Sequence, residues 1–271
     1  MCLKRDVGNF LVNLGEASLL MGDAAQALSF ESEAEGLIPE LAGESRYAID
    51  VYYNLAEAQA RSGLMEDAER SYHRSLETAT MVGRTVSEVE ARIRLGSILA
   101  GRGHETEALP VIEEALRLSR SSGFPLQEVA SLLACGRIEL SLGRLEEATR
   151  HFEMAVEIAD SHKMGDLLPP ALESLSTAKA VMNRFDEAYH DLLRSVQEAR
   201  AWSSSEAARM LAELATGYRL ENAKREAEVE KVRREGLESA NERLRVVTRI
   251  GRSLTQSLEP RDILTRMWNE L

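Results

Sequence analysis

The chain has 271 residues, 44% hydrophobic and 29% charged, with 45 acidic against 33 basic side chains and a net charge of −12. That balance fits a folded helical protein and argues against a disordered chain or a nucleic-acid surface, which needs clustered Lys and Arg. No stretch reaches the roughly 18 uncharged apolar residues of a membrane span, and the opening MCLKRDVGNF lacks a secretory signal. A cytoplasmic chain with Cys2 and Cys135 reduced, and with no membrane or nucleic-acid partner, is therefore expected.

Read in chain order, the first two hundred residues repeat. A small residue after an apolar one marks Leu14-Gly15, Leu55-Ala56, Leu95-Gly96, Cys135-Gly136 and Leu175-Ser176, at steps of 41, 40, 40 and 40 residues. A second column, Ala27, Ala68, Ala108, Ala148 and Ala188, follows twelve residues behind the first. Between them lies a third: Gly22, Gly63, Gly103, Gly143 and Asn183. Three columns in register over five copies define a repeat.

Each copy reads as helix, short turn, helix: LLMGDAAQAL, then ARSGLMEDAE, AGRGHETEAL, LSLGRLEEAT and VMNRFDEAYH. Gly or Asn at the turn tolerates the left-handed backbone that ends a helix. Apolar residues three and four apart on both sides, such as Leu132 and Cys135, then Leu145, Ala148, Phe152 and Ala155, give each helix an apolar face. Small residues let the two backbones approach, so Gly15 is expected opposite Ala27 and Gly96 opposite Ala108. A single hairpin cannot bury its apolar face alone, so the five must stack into an all-α solenoid.

The run Gly136, Gly143, Ala148, Phe152 and Ala155 resembles the tetratricopeptide repeat. The common form repeats every ~34 residues; the longer step here is similar to the variety found in kinesin light chains and large bacterial regulators. The resemblance covers roughly residues 3–202, departing at Ser176 and Asn183 in repeat five and at Glu31 in repeat one, where an aromatic or apolar residue is usual. It implies a right-handed α-α superhelix over 1–202, five helical hairpins followed by a capping helix, with a concave groove that binds a protein or peptide. The implied groove positions, on the first helix of each hairpin, are Asn9, Asn13 and Glu16, then Asp50, Asn54, Glu57 and Arg61, then Glu90 and Arg94, then Arg137. Asn13 and Asn54 fall at the column where an asparagine of this family hydrogen-bonds an extended peptide backbone, its amide offering both donor and acceptor. A merely solvated polar face is the alternative. The lysines of the carboxylate-gripping chaperone clamp are missing from this stripe, which suggests a polar or mixed-charge ligand.

From Ser203 to Glu259 the chain runs without proline, so residues 203–250 are expected to form a capping helix and a coiled-coil linker. Met210, Leu211, Leu214 and Tyr218 supply the apolar face of the cap. Leu237, Ala240, Leu244, Val247, Gly251, Leu254 and Leu258 recur at steps of three and four, the seam of a two-stranded coiled coil and hence of a homodimer. Val229 and Val232 fall out of its phase. A solvated single helix held by intrahelical ion pairs is the alternative. The segment RLRVVTRIGRSLTQSLEPRDILTRMWNEL resembles the first helix of a GAF domain, which would make 251–271 the N-terminal fragment of such a domain and the sequence a piece of a longer protein.

Nothing in the sequence assembles chemistry. His73, His104, His151, His162 and His190 are scattered over different repeats, without metal-ligand spacing, and are expected on the surface. No glycine-rich phosphate loop, nucleophile elbow or Cys-x-x-Cys pair occurs, so no catalysis, cofactor or metal is expected. The order of repeat array, charged helix and sensory domain resembles bacterial multidomain signalling proteins that end in a nucleotide cyclase or histidine kinase. It implies a regulatory input module that dimerises through its C-terminal helix and controls an output domain outside this chain. A passive scaffold that assembles partner proteins is the alternative.

Overall fold

Each hairpin turn leaves its first helix through one left-handed residue: Gly22, Gly63, Gly103 and Gly143 have φ of 81°, 79°, 85° and 74°, and Asn183 takes the same role at 60°. The next amide then reaches back to close the helix end, as in Leu64 N to Gln59 O at 2.8 Å, His104 N to Leu99 O at 2.9 Å and Arg144 N to Glu139 O at 2.8 Å. Backbone carbonyls that would otherwise be orphaned are satisfied identically in each copy. Between hairpins the same device recurs at Gly83, Gly123 and Lys163, with φ of 72°, 68° and 54°. Lys163 adopts a conformation that costs any residue with a Cβ about 1 kcal/mol.

The computed structural model describes residues 2–41 and 45–257, with side-chain environments for 4–41, 46–210 and 227–238. Among the described residues there are ten α-helices: α1 (Cys2–Leu20), α2 (Ala24–Leu37), α3 (Ser45–Arg61), α4 (Met65–Val82), α5 (Thr85–Gly101), α6 (Glu105–Ser122), α7 (Pro125–Ser141), α8 (Leu145–Ser161), α9 (Leu168–Val181) and α10 (Phe185–Ser257). A short 3-10 turn, Ile38–Leu41, follows α2, and none of the described residues forms a strand. No described helix is long and apolar enough to cross a membrane.

Small residues govern how closely the hairpins close, and the atoms nearest to them belong to the side chain one turn past the alanine column. A Cβ added to Gly136 would meet the Phe152 ring at 2.5–2.9 Å, and one added to Gly96 or Gly15 would collide with the side chain of Ile112 or Glu31. The residue accommodated therefore lies sixteen positions on. At Gly96 the alanine column also comes close, through the Ala108 carbonyl oxygen at 3.3 Å. The alanines Ala27, Ala68, Ala108 and Ala148 are themselves fully buried. In the fifth hairpin Ser176 fills the small position, and its hydroxyl donates to the Ala188 carbonyl at 2.7 Å.

Consecutive helices pack in sequence from α1 to α9, and the first helices of neighbouring hairpins also touch: α1 with α3, α3 with α5, α5 with α7, and α7 with α9. This is a solenoid. One apolar core runs through hairpins two to five, from Ala56 and Tyr72 through Leu95, Ile112, Leu132 and Phe152 to Leu175. Hairpin one is held by two separate clusters, Leu11, Ala34, Leu41, Tyr47 and Val51 in one and Leu19, Ala27 and Ala58 in the other.

The chain divides into two compact units, Met1–Ser203 and Ser204–Leu271, with α10 contributing to each. In the first unit, α10 is tied to the stack by Ser195, whose hydroxyl donates to the Pro169 carbonyl at 3.0 Å, and by Trp202, whose ring covers Gly165. In the second unit the described side chains, 204–210 and 227–238, are exposed, Met210 and Leu237 among them. Leu211, Leu214 and Tyr218, and the seam residues Ala240, Leu244, Val247 and Leu254, have side chains outside the described set. Leu258 and the GAF-like segment beyond Ser257 lie outside the described residues.

Gly136→Ala should lower stability by roughly 1–2 kcal/mol, because the fully buried Phe152 ring must move to admit one methyl group. Urea unfolding followed by circular dichroism measures this; an unchanged midpoint would show that the hairpin does not close on that glycine.

Candidate functional site

Because the first helices touch one another, their outward stripes line one shared surface. Two adjoining hollows occupy it at the start of the array. One, of about 510 Å³, is lined by Asn9, Asn13 and Asp50 together with Arg5, Asp6, Arg46 and Tyr47. The other, of about 360 Å³, is lined by Asn13, Glu16, Asp50, Asn54 and Glu90. Val12, Asn13, Arg46 and Asp50 border both, so the two form a single trough from α1 across α3 to α5. Six of the ten groove positions expected from the sequence meet there: Asn9, Asn13, Glu16, Asp50, Asn54 and Glu90.

The other four are placed differently. Glu57 and Arg94 border a third hollow of about 300 Å³, with Tyr72 and Met65, but are already bound to each other. Arg94 Nε lies 3.1 Å from Glu57 Oε1 and donates to the Tyr53 hydroxyl at 3.2 Å. Tyr72 donates to the same Glu57 carboxylate at 2.5 Å, and the Tyr53 and Tyr72 rings meet edge to face at 5.7 Å. Burial, reinforced by Glu57, pushes the Tyr72 hydroxyl well above its ordinary pKa, so it stays a donor. This network ties α3, α4 and α5 together. Arg61 caps the first hairpin, donating to the Leu19 carbonyl at 2.6 Å. Arg137 has no ion pair among the described residues. Burial, and then the like charge of Arg94, hold its pKa below the ordinary arginine value.

Next to Gly15 on α1, close to the trough residues Glu16, Asp50 and Asn54, lies a residue that the sequence marks only as a departure from the repeat. Glu31 stands where the other hairpins place Tyr72, Ile112 and Phe152, and its side chain is fully buried against Gly15. Neither carboxylate oxygen has a hydrogen-bond partner. Burial raises its pKa to about 8; the Asn54 amide favours the charged form without reaching hydrogen-bond geometry, while Glu16 and Asp50 oppose it. Burial also raises the pKa of Asp50, against the pull of Arg46 and Arg84. Glu31 falls between Ala27 and Ala34, which belong to the two separated apolar clusters of hairpin one.

One histidine departs from the expected surface placement. His151 Nδ1 lies 2.6 Å from Glu139 Oε2, and the Glu139 side chain is only 6% exposed, so the imidazole is the partner of a buried carboxylate. Lys179 and Asp191 make the equivalent contact at 2.7 Å in the next hairpin. Among the described residues no group of His, Cys, Asp and Glu is placed to hold a metal ion. Burial lifts the Cys135 thiol to about 12, leaving it inert.

Residues 47–121 and 87–161 match the family model of the tetratricopeptide repeat, so the stretch 47–161 carries these repeats. No curated protein matches the chain by sequence. Among solved structures, the apo form of RapI superposes with a TM-score of 0.65 at 17% identity, over 74% of this chain and 73% of that one. A Rap protein complexed with Competence and Sporulation Factor gives 0.66 at 19% identity, over 73% and 56%. The Rap conjugation gene regulator of plasmid pLS20, in complex with the Phr* peptide, gives 0.59 at 18%, over 72% and 54%. The chain thus spans little more than half of the two ligand-bound proteins, and at these identities the likeness is one of fold.

Glu31 makes folding pH-dependent. The folded carboxyl keeps its proton to about pH 8, whereas the unfolded chain releases it near 4.5, so the native state binds the extra proton in that window. Stability should therefore fall as pH rises from 4.5 to 8. Glu31→Gln, which cannot ionise, should lose this component and gain on the order of 2 kcal/mol over wild type at the alkaline end. Chemical unfolding at several pH values tests it; parallel curves for the two proteins would contradict the buried, unpaired state of this side chain.

Proposed function

We propose that the trough along α1, α3 and α5 binds an extended peptide or protein segment, and that the array is the input module of a signalling protein. The continuity of the trough carries this reading: six polar groove positions from the first helices of three successive hairpins border one depression. Asparagine amides at Asn9, Asn13 and Asn54 suit a peptide backbone, which alternates donor and acceptor. The Competence and Sporulation Factor and Phr* complexes of proteins with this fold support a ligand-binding role. The second unit acts as a dimerising helix. Its apolar Leu237, at the start of the seam, is 58% exposed, and a second copy would cover it. A change in that pairing on ligand binding would pass to an output domain outside this chain, of nucleotide cyclase or histidine kinase type.

Asn13→Ala combined with Asn54→Ala should weaken peptide binding about tenfold, equivalent to ~1.4 kcal/mol, without changing the helical circular dichroism. Arg94 is unsuitable for this test because it holds α3 to α5. Fluorescence anisotropy with a peptide selected on the intact chain gives the readout, and equal affinities would end the groove assignment.

Light scattering of the intact chain should report a dimer that becomes monomeric on Leu237→Glu with Leu244→Glu, since two charges in the seam remove its apolar contact. A wild-type monomer at high concentration would eliminate the dimerising role.

A further inference from the structure

Glu31 is the one residue whose buried polar side-chain atoms lack a partner among the described residues. An unpaired buried carboxyl destabilises a fold unless something completes it. The groups that act on it are Glu16 of α1 and Asp50 and Asn54 of α3, and all three line the 360 Å³ hollow; the Glu31 carboxyl lies against Gly15, the residue before Glu16, and so beside that lining. The free protein offers it no counter-charge. Tyr47 of α3 turns its hydroxyl to the Ala34 carbonyl, and Glu35 of its own helix is engaged by Arg74. Arg46, which also lines the hollow, sits 3.8 Å from Asp50, and Arg84 likewise acts on Asp50. The charged lining is Glu16, Asp50 and Glu90 against the single Arg46, and Glu16 has no ion pair among the described residues.

Resting on the groove reading above, we propose that this hollow seats a cationic organic group of the ligand, with Glu16 and Asp50 at its rim and Glu31 as the counter-charge beside them. An organic cation is favoured over a metal because the described carboxylates do not converge to metal-ligand geometry. The cation need not touch Glu31: a charge several ångströms away still acts on a buried group, as Glu16 and Asp50 do. Because burial holds the free carboxyl protonated up to about pH 8, seating the cation draws a proton off it. A lysine or arginine side chain and a free N-terminal amine share the required chemistry.

Two random hexapeptide libraries, one with free and one with acetylated N-termini, panned at neutral pH on the immobilised 271-residue chain, test this. Enrichment of Lys or Arg at one position in both libraries identifies a side-chain cation, and retention from the free-amine library alone identifies the terminal amine. In either case the tightest peptide should bind Glu31→Gln and Asp50→Asn about tenfold more weakly, with the helical spectrum of both variants unchanged. Calorimetry in two buffers of different ionisation enthalpy should show proton release with wild type and none with Glu31→Gln. Retained peptides without a basic group, or affinities for Glu31→Gln within about twofold of wild type, overturn this inference and leave the groove intact. Failure of both libraries to yield any binder removes the groove and this inference together.

Discussion

The close approach of two helices at a single small residue is the constraint on which the array depends. Where Gly96 and Gly136 lack a Cβ, the side chains of Ile112 and Phe152 occupy the space and are fully buried. That contact sets the separation within a hairpin. The left-handed turn residue sets where the second helix begins, and the next left-handed residue sets where the following hairpin starts. Repetition of the same separation and the same turns brings α1, α3, α5 and α7 alongside one another. The trough is a consequence: a stripe of one helix becomes a surface only when its neighbours in the stack are held at constant spacing.

Glu31 shows what happens when that rule is kept in shape but broken in chemistry. It fits against Gly15 as Phe152 fits against Gly136, yet it brings a carboxyl into a space built for a ring. The apolar core that is continuous from hairpin two to hairpin five is split in hairpin one at this position. The apolar core is thus interrupted close to the polar trough, and the carboxyl responsible is acted on by residues that line it. The other buried polar side chains behave differently, since Glu139 has His151 and Lys179 has Asp191.

Much of the hairpin architecture was legible in residues 1–202 because its determinants are backbone constraints. A left-handed turn admits few residue types, and a close approach admits only small ones, so Gly22, Gly63, Gly103 and Gly143 and the column from Gly15 to Ser176 write the period directly. Asn183 was readable for the same reason. Lys163 was not, because nothing about lysine announces a positive φ. Nor was the fate of Glu57, Arg61 and Arg94. As a stripe they look like neighbours of Asn13 and Asn54, but Tyr72, Tyr53 and the Leu19 carbonyl claim them. Those partners come from other helices, up to 42 residues away.

By itself, then, the sequence determined the helical hairpins, their number and their turns, since each of these depends on what one position tolerates locally. Which polar residues remain free to meet a ligand, and that a carboxyl lies unpaired beside them, only the tertiary structure decided. Burial and hydrogen-bond partnership are properties of a side chain's surroundings, assembled from segments that periodicity treats as equivalent.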